Sequence, residues 1–545
     1  MGVPYYFLHI IKKYPNIIKK TQNLNIQNLY LDSNSIIYDV YNSINSNDYE
    51  TLELFINDIY EKVCKKIDDL IKELNPKNKI YITFDGVAPV AKLKHQRTRR
   101  FKSNFTKELY KMQDFEEYKN NILKTGNFEW STINITPGTE FMNNLDIFIT
   151  NYYKQNSKVM ISGSNNVGEG EHKIFSYIRN NKQYHKNTTT VVYGLDSDLI
   201  MLSLNHLYCN KQIFLYRETL EFIRNINKEL NPNENYVLNI KYLFKLIIDE
   251  MTNYVSYMNI NSYNLLTDYI LICFLIGNDF VYHNPSLNIR NNGIMKMLNI
   301  YKDICNGNYT LTENGVINWK HFKNFMNRLA LQERDNLKEE YEIKNNLQKK
   351  IEYKIKKMER SGVSKKEIFD FKLDNLPGLE RNIEHYINVY ETGWEYRYYL
   401  KLFDVNINEE RLREICVNYI ESLEWTFKYY QNDCLDYRWS YKYNYAPLFS
   451  DVIKYIPEMQ TDFINLNPER PISNKVQLAY VLPKNYLYLL GTNIEKTLIN
   501  KYTEYYDENK EILWSWNKYF WQSNVIYPYL NIDELEKIIL NIELN

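Results

Sequence analysis

Seven carboxylates in the first 280 residues stand at or beside the ends of apolar runs, and several adjoin a glycine. Asp and Glu are seldom fully buried unless they are paired or bind a cation. An acid that closes an apolar run is expected where a strand leaves the core, the usual position of chemistry in α/β proteins. This placement of an acid recurs in five segments, and the recurrence predicts that the acids share one site. The seven residues are Asp32, Asp85, Glu169, Glu171, Asp196, Asp198 and Asp279.

These side-chain types predict a site for two divalent metal ions. In two-metal phosphodiester hydrolysis one hard cation activates water and the other stabilises the leaving oxygen, and Mg²⁺ prefers carboxylate ligands. Asp196 and Asp198 would point to the same side if the strand before them stayed extended, and Glu169 and Glu171 precede a helical run. A single acid of this kind is more often a helix cap or a surface ion pair. Together, however, seven carboxylates would repel one another without cations.

A dense cationic run follows Asp85 in the segment GVAPVAKLKHQRTRRFKS. On a helix that begins near Pro89, three polar side chains fall at i, i+4 and i+7, with an arginine beside them. These residues are Lys92, Gln96, Arg99 and Arg100. One face of cations and an amide suits a terminal phosphate and could reject a bulkier cap or triphosphate. The alternative is an exposed basic face without a pocket, and adjacency to Asp85 favours the pocket.

Glycine is scarce in this chain, with 16 in 545 residues, yet six glycines lie in or near the acidic motifs. This distribution predicts tight turns or close backbone approach at the site, although ordinary strand-end turns are an alternative. The six are Gly86, Gly163, Gly168, Gly170, Gly194 and Gly277.

Strand-like runs alternate with helical patterns as far as residue 322, which predicts an α/β fold with a mostly parallel sheet flanked by helices. The strand-like runs are NLYLD, KIYITFD, VMISG, TTVVYGLDSD and LICFLIG, and an amphipathic helix is expected over 52–74. We expect a catalytic region over 1–320, a charged helical connector over 321–390 and an aromatic-rich, helical second region over 391–545.

Composition narrows the class of protein. Lys and Arg together number 67, as do Asp and Glu together, so the formal net charge is zero and any basic field must be local. The six cysteines are scattered without a CxxC pair, which argues against a zinc site or a disulfide framework and favours a reducing compartment. We expect the cytoplasm, with the nucleus as the alternative. Neither a signal-peptide layout nor an apolar run of membrane-spanning length is present, so we expect no membrane partner.

Several motifs resemble the XRN family of 5′→3′ exoribonucleases, and they extend through almost the whole chain. They are MGVPYYF, LYLDSN, FDGVAPVAK with QRTRRF, ITPGTEFM, GEGEHKI, YGLDSDLIML, FLIGNDF, GWEYRYYLKLFD, YNYAPLFSD, PERPISNKVQLAYVLP and IYPYLNIDEL. Together they are far more specific than any single short motif.

The resemblance implies a core related to flap endonucleases and PIN-type nucleases, with two Mg²⁺ or Mn²⁺ ions held by the seven acids. It implies processive hydrolysis of single-stranded RNA with a 5′ monophosphate to nucleoside 5′-monophosphates, in RNA turnover. The family's phosphate pocket maps onto Lys92, Gln96, Arg99 and Arg100, and its base-stacking pair onto Tyr38 and Trp439. Stacking aromatics bind bases without sequence preference, but a core position for Trp439 is an equal alternative.

The chain departs from the family pattern in several places. Tyr38 stands where the family usually has His, Ser35 where it has Gly, and Tyr437 where it has one tryptophan of a paired-tryptophan loop. Because tyrosine can also stack, we expect altered affinity rather than lost activity. The chain also ends soon after the second region, so recruitment of partners by a long C-terminal extension is in doubt.

Two other functions remain alternatives. A structure-specific 5′ DNA flap endonuclease would share the acidic cluster, although the aromatic second region and the phosphate pocket favour RNA ends. An inactive RNA-binding scaffold would lack some of the acids, and all seven are present.

Overall fold

The structure is a computed structural model, and it describes residues 3, 5–113, 128, 130–217, 230–231, 234–252, 261–305, 309–464 and 470–544. A seven-stranded sheet organises the first half of the chain. Its strands are β1 (Ile18–Lys20), β2 (Asn28–Asp32), β3 (Lys79–Thr83), β4 (Val159–Ser162), β5 (Thr189–Tyr193), β6 (Gln212–Tyr216) and β7 (Tyr236–Asn239). Their order is β1-β7-β6-β5-β2-β3-β4. The five adjacent strands from β6 to β4 in this order are parallel to one another. The predicted fold class is therefore confirmed.

Helices cover both faces of the sheet. They are α1 (Tyr6–Lys13), α2 (Asn34–Ser43), α3 (Leu52–Leu74), α4 (Val90–Met112), α5 (Glu140–Tyr152), α6 (Gly170–Asn180), α7 (Lys182–His185), α8 (Asp198–Asn205), α9 (Ile240–Met251), α10 (Ser262–Phe274) and α11 (Gly293–Cys305). Strand side chains alternate between two hydrophobic cores: Tyr30 and Val192 face one, whereas Leu29, Leu31 and Val191 face the other. The apolar face of α3 fills the second core, as its predicted amphipathic pattern requires.

The second half of the chain is helical in its described part. Its helices are α12 (Trp319–Arg360), α13 (Lys365–Asp374), α14 (Leu376–Leu379), α15 (Asn382–Ile387), α16 (Trp394–Leu402), α17 (Glu409–Gln431), α18 (Phe449–Tyr455), α19 (Asn474–Val481), α20 (Thr492–Lys501), α21 (Thr503–Tyr506) and α22 (Ile532–Leu544). Four short strands form two small antiparallel pairs, β8 (Thr312–Glu313) with β9 (Val316–Ile317) and β10 (Ile512–Leu513) with β11 (Asn524–Val525). The expected charged connector is helical in the structure, and most of the 42-residue helix α12 lies in it, while the predicted domain boundaries stay predictions.

Two local expectations are wrong. LICFLIG is not a strand, because its first four residues end helix α10 and the rest lie in the turn that follows, so Asp279 follows a helix rather than a strand. A buried apolar run of this length fits either element, and the tertiary packing of α10 in the core decides for the helix here. Extended geometry does not continue through Asp196 and Asp198 either, because β5 ends at Tyr193 and α8 begins at Asp198.

Two further features agree with the composition. The six cysteines are all buried free thiols. In the part of the chain that the structure describes, no helix combines the length and apolar character needed to cross a membrane.

Candidate active site

The carboxyl ends of three neighbouring parallel strands bring acids together at one edge of the sheet. Asp32 is the last residue of β2 and pairs in register with Thr83, the last residue of β3. Asp85 lies two residues beyond β3, and Asp196 lies three residues beyond β5. Strand β2 is also where the connections change direction across the sheet, with β3 and β4 on one side and β5 on the other. Crevices at such switch points are the usual ligand sites of open α/β sheets.

The Asp85 side chain is held in one orientation by the backbone and side chains around it. Asn34 Nδ2 donates to Asp85 Oδ2 at 2.7 Å, and the Asp85 amide donates to Asn34 Oδ1 at 3.0 Å. The Gly170 amide, in the first turn of α6, donates to Asp85 Oδ1 at 2.8 Å. A hydrogen-bonded carboxylate at a helix N-terminus is preorganised to present its remaining lone pairs to a cation.

Three carboxylates meet closely enough to ligate one metal ion. Oxygens of Asp32, Asp85 and Glu171 all lie within 4.8 Å of one another, and a second such group contains Glu169, Glu171 and His172. Burial and then the neighbouring Asp85 raise the pKa of Asp32 well above its usual range, and burial and then Glu169 raise the pKa of Glu171. The three groups therefore need a cation to share the site as carboxylates.

A divalent cation fits this cluster on structural grounds. Asp32 Oδ1 is buried and has no hydrogen-bond partner among the described residues. The backbone also approaches closely, since a Cβ added at Gly170 would lie 2.5 Å from Asp32 Oδ1. An unsatisfied buried carboxylate oxygen beside two other carboxylates is the donor set that hard cations prefer. The expected close approach of glycine is confirmed at Gly170 and at Gly86, where an added Cβ would overlap the Asn166 carbonyl.

Tyrosines of the helical half hold two of the other acids. On α17, Tyr429 donates its hydroxyl to Glu169 Oε1 at 3.0 Å and Tyr430 donates to Asp198 Oδ1 at 2.6 Å. Burial and then the Asp196 carboxylate raise the pKa of Asp198 to about 7. Through these two contacts, helix α17 fixes one side of the acidic cluster.

Lys92 lines the cavity and also contacts the acidic cluster, and its part in the phosphate pocket stays a prediction. Its ammonium lies 2.7 Å from Glu169 Oε2 and 2.5 Å from Asp279 Oδ2, and His95 Nδ1 lies 3.1 Å from Asp279 Oδ1. Although burial opposes it, the carboxylates of Asp279 and Glu169 raise the pKa of Lys92 well above its usual value. Lys92 lies at the junction between the acids and the cationic helix, and Asp279 reaches the site through it.

One cavity of about 630 Å³ contains both the acids and the cationic helix face. Its acidic wall includes Asp32, Asp85, Glu169, Glu171 and Asp196, and its α4 wall includes Lys92, Gln96, Arg99, Arg100, Ser103, Asn104 and Lys107. Asp198 and Asp279 are behind this wall, each 8% exposed or less. The predicted adjacency of acids and cations is therefore present in the structure.

The predicted phosphate-binding side chains share the cavity face of α4, which begins at Val90 with Pro89 as its N-cap. Arg100 Nη2 donates to Thr136 Oγ1 at 2.9 Å, and burial lowers the pKa of Arg100 to about 10, so it stays charged at neutral pH. Gln96 Oε1 is buried and has no hydrogen-bond partner in the described part of the chain. Arg99 is exposed at the same cavity.

The two residues of the expected stacking pair occupy different environments. Tyr38 lines the cavity and is 39% exposed, so its ring is available to a ligand. Trp439 is not among the residues that line the cavity; its ring stacks on Trp425 at 5.4 Å, and its Nε1 donates to Glu421 at 3.2 Å. A base-stacking role for Trp439 remains a prediction.

Sequence reasoning missed several residues that shape the site. Arg217, which lines the cavity, directly follows the apolar strand β6, so the strand-end rule that located Asp32 could have found it. Asn34 adjoins a predicted acid and orients Asp85. Tyr429 and Tyr430 carry no comparable signal, because they approach the acids from more than 230 residues away. Tyr486 also lines the cavity from the distant helical half.

The fold and the site together define an α/β protein with an acidic cavity at the sheet's switch point and a cationic helix as its wall. Comparison with known families agrees with this class. The profile described as "XRN 5'-3' exonuclease N-terminus" matches residues 1–219, and the "Xrn1 helical domain" matches residues 259–381 and 338–544. The chain belongs to the XRN family.

Curated relatives of known activity align with most of the chain. "5'-3' exoribonuclease 1" of Saccharomyces cerevisiae is 28% identical over 89% of this chain and 39% of its own length. The protein of the same name in Schizosaccharomyces pombe is 28% identical over 97% of this chain and 48% of its own length. "5'-3' exoribonuclease 2" of Gallus gallus is 26% identical, covering 97% of this chain and 69% of its own length. The chain thus spans less than half the length of the two yeast relatives.

Proposed function

We propose that this protein is a 5′→3′ exoribonuclease that processively hydrolyses single-stranded RNA with a 5′ monophosphate, with two divalent ions, in RNA turnover. The observation that carries the proposal is the single cavity whose walls are carboxylates on one side and the cationic face of α4 on the other. The names of the relatives support RNA as the substrate. We place the enzyme in the cytoplasm, with the nucleus as the alternative compartment, and the buried free cysteines suit either.

In this proposal the α4 face selects the end of the substrate. Gln96, Arg99 and Arg100 would hold the terminal phosphate through charge-assisted hydrogen bonds, which are about twice as strong as neutral ones. The Tyr38 ring, exposed at the same cavity, would stack on the first base. A 5′ cap or triphosphate would add bulk and charge to a pocket that Ile135 and Pro137 line beside Thr136, the residue that holds Arg100.

The acids would hold two Mg²⁺ or Mn²⁺ ions, with Asp32, Asp85 and Glu171 as the most compact ligand group. When bound, such ions activate water, stabilise the leaving oxygen and neutralise the phosphate. The chain's own groups set the positions: Asn34 and Gly170 orient Asp85, and Tyr429 and Tyr430 fix Glu169 and Asp198. Lys92 remains an ammonium beside Glu169, where it limits repulsion among the acids.

The reaction adds water to the phosphorus and releases the 3′ oxygen, which takes up a proton. The products are a nucleoside 5′-monophosphate and an RNA that is one nucleotide shorter. Because that RNA again carries a 5′ phosphate, it can re-enter the same pocket without being released, and this reuse is the basis proposed for processivity.

The proposal is tested by a panel of RNAs of one sequence that differ at the 5′ end. We expect rapid release of nucleoside 5′-monophosphates from 5′-monophosphate RNA, and little release from 5′-triphosphate, capped or 5′-hydroxyl RNA. Chelation should stop the reaction, and Mg²⁺ or Mn²⁺ should restore it. Equal degradation of all four RNAs would overturn the end selection, and preferential cleavage of branched DNA flaps would instead support the endonuclease alternative.

A further inference from the structure

Two arginines and four aromatic rings lie close together at the surface beside the cavity and a second pocket. We call these residues the cation–aromatic track; they are Arg217, Phe7, Tyr5, Arg290, Tyr519 and Trp521. The Arg217 guanidinium carbon lies 4.1 Å from the centre of the Phe7 ring, and that of Arg290 lies 3.5 Å from the Tyr5 ring. The row continues to Trp521, whose ring centre is 6.2 Å from Tyr5. All six side chains are partly exposed, and Trp521 is 43% exposed.

The track is continuous with the cavity proposed to bind the RNA end. Arg217 belongs to both, because it lines the cavity and stacks on Phe7. At the other end, Lys102 of α4 donates to the Trp521 carbonyl at 2.5 Å, and the next residue, Ser103, lines the cavity. A strand that leaves the cavity on this side would therefore meet the track.

The two arginines of the track form no direct ion pair with a carboxylate among the described residues. Asp196 acts on Arg217, and Glu340 acts on Arg290, only at longer range. The Nε atom of Arg217, and the Nε and Nη2 atoms of Arg290, are buried without hydrogen-bond partners in that part of the chain. Stacked arginines can contribute cation–π contacts and, through their remaining N–H groups, phosphate contacts.

A second pocket adjoins the track at Arg290. It has a volume of about 350 Å³, and Arg290, Lys350, Lys518 and Trp516 are among its lining residues. Lys344 also lines it but is neutralised by Glu384, and Glu340 is the one acid of that lining. The excess of cations makes the pocket complementary to an anion.

Backbone strain marks the same region. Tyr5 and Trp516 have φ angles of 63° and 60°, in the left-handed region that bulky side chains rarely adopt. Such conformations cluster at ligand sites, where the surrounding contacts hold them in place. Arg290 stacks on Tyr5 and lines the pocket with Trp516, so it connects the two strained residues.

We propose that the cation–aromatic track binds single-stranded RNA downstream of the nucleotides held in the cavity. Bases stack on Trp521 and Tyr519, and phosphates contact Arg290 and Lys518, the pattern by which proteins bind single strands without sequence preference. The inference rests on the proposed function and deepens it, because it gives the enzyme a second hold on its substrate between cleavage steps.

The test compares 5′-phosphorylated RNAs of four and twenty nucleotides by fluorescence anisotropy, in chelator so that no cleavage occurs. The variants are Trp521→Ala and Arg290→Met, and the matched control is Arg413→Met, an exposed arginine away from the track. We expect each track variant to weaken binding of the 20-mer about tenfold, the loss of one base stack or one phosphate contact, with the tetramer unchanged. Because its side chain is exposed, Trp521→Ala tests the track even if Arg290→Met fails to fold.

Unchanged affinity for the 20-mer in Trp521→Ala would overturn the track, as would an equal loss for both lengths. A second outcome would also overturn the proposal: wild-type protein binds AMP, and Arg290→Met abolishes this binding but keeps full affinity for the 20-mer. The pocket would then be assigned to a free nucleotide. A failure of the proposed function is distinguished by the wild-type protein alone. In that case it would bind the 5′-phosphorylated tetramer no more tightly than the 5′-hydroxyl tetramer.

Discussion

Asp32 carries the clearest residue-scale evidence for a cation. Its carboxylate is buried beside two others, one oxygen has no hydrogen-bond partner among the described residues, and burial raises its pKa. A group in this position destabilises the fold when charged and unneutralised. The same residue should therefore affect metal binding, catalysis and stability in a linked way.

We predict that Asp32→Asn lowers the hydrolysis rate by about 10³-fold or more, since a metal site contributes several kcal/mol to the transition state. In chelator its melting temperature should equal or exceed that of the wild type, because one repelling charge is lost. Mg²⁺ should raise the melting temperature of the wild type but not of the variant. Asp58→Asn on α3 is the control, and a wild-type response to Mg²⁺ in Asp32→Asn would contradict the site.

Arg100 should determine recognition of the 5′ phosphate. Replacing it with Met removes a charged donor, a change worth about 1.5–3 kcal/mol for a hydrogen bond to a charged group. We predict a fall of about 10- to 100-fold in kcat/KM for 5′-monophosphate RNA and little change for 5′-hydroxyl RNA. Arg411→Met, an exposed arginine of α17, serves as the control. An equal fall for both substrates would show that Arg100 acts only on the structure.

Individual site residues were predictable where they follow an apolar strand or occupy one helix face. Asp32 and the cationic residues of α4 meet these conditions, and so does Arg217, which the prediction nevertheless missed. The partners that orient the acids were not predictable, because Tyr429 and Tyr430 come from a helix formed much later in the chain. Their hydroxyls reach Glu169 and Asp198 only in the folded protein.

Helix α4 is the element that connects the face proposed to bind the substrate with the rest of the protein. One face lines the cavity, and the other face donates to backbone carbonyls of the helical half. Lys102 donates to the carbonyls of Trp521 and Ser523, at 2.5 and 2.8 Å. Burial, assisted by Arg99, lowers the pKa of the Lys102 ammonium to about 7.

This pKa predicts a pH dependence of stability. In the unfolded chain a lysine has a pKa near 10.4, so between pH 7 and about 10 the unfolded state binds more protons than the folded state, and stability rises with pH. Below pH 7 the contribution of Lys102 to this slope disappears. We predict that the free energy of unfolding in urea rises between pH 7 and 9 by about 1–2 kcal/mol more in the wild type than in Lys102→Met. Identical slopes would contradict the lowered pKa.

Elements were predicted well where the apolar periodicity is unambiguous. The amphipathic pattern gave α3 its observed limits, Leu52–Leu74, and NLYLD is β2. LICFLIG was assigned wrongly because a fully apolar run has no periodicity to separate a buried helix from a buried strand. Its burial among α9, α11 and the sheet depends on tertiary packing, which the local sequence does not record.

At the scale of the whole molecule, the helical half holds α4 against the sheet. Arg97 donates to the carbonyls of Tyr480, Leu482 and Tyr505, and its guanidinium carbon lies 3.9 Å from the centre of the Tyr505 ring. Arg97 is buried and is two residues from exposed Arg99, which faces the cavity. The two arginines thus separate a structural role from a proposed substrate-binding role on one helix.

We predict that Arg97→Met destabilises the protein by about 3–5 kcal/mol, because three buried carbonyls lose a charged donor. Activity should fall on every RNA end, since α4 loses its position. Arg99→Met is the matched comparison: it should leave the melting temperature unchanged and lower activity mainly on 5′-monophosphate RNA. Similar stability losses in both variants would contradict this division of roles.

The overall architecture followed from the alternation of strands and helices and from the motifs, whereas the arrangement of the helical half did not. Its contacts with the sheet region join residues several hundred positions apart, such as the Ala88 amide with Gln477. The cavity is closed by such contacts, and Tyr486 lines it from this half. Local patterns predict the walls of the site separately, and only long-range packing joins them.

The most direct test of the account is a crystal structure with Mn²⁺ and a short 5′-phosphorylated RNA whose first linkage resists cleavage. We predict anomalous density for manganese within ligand distance of Asp32, Asp85 and Glu171, and the 5′ phosphate in contact with Gln96, Arg99 and Arg100. Manganese bound away from these carboxylates, or a 5′ phosphate bound away from α4, would contradict the account.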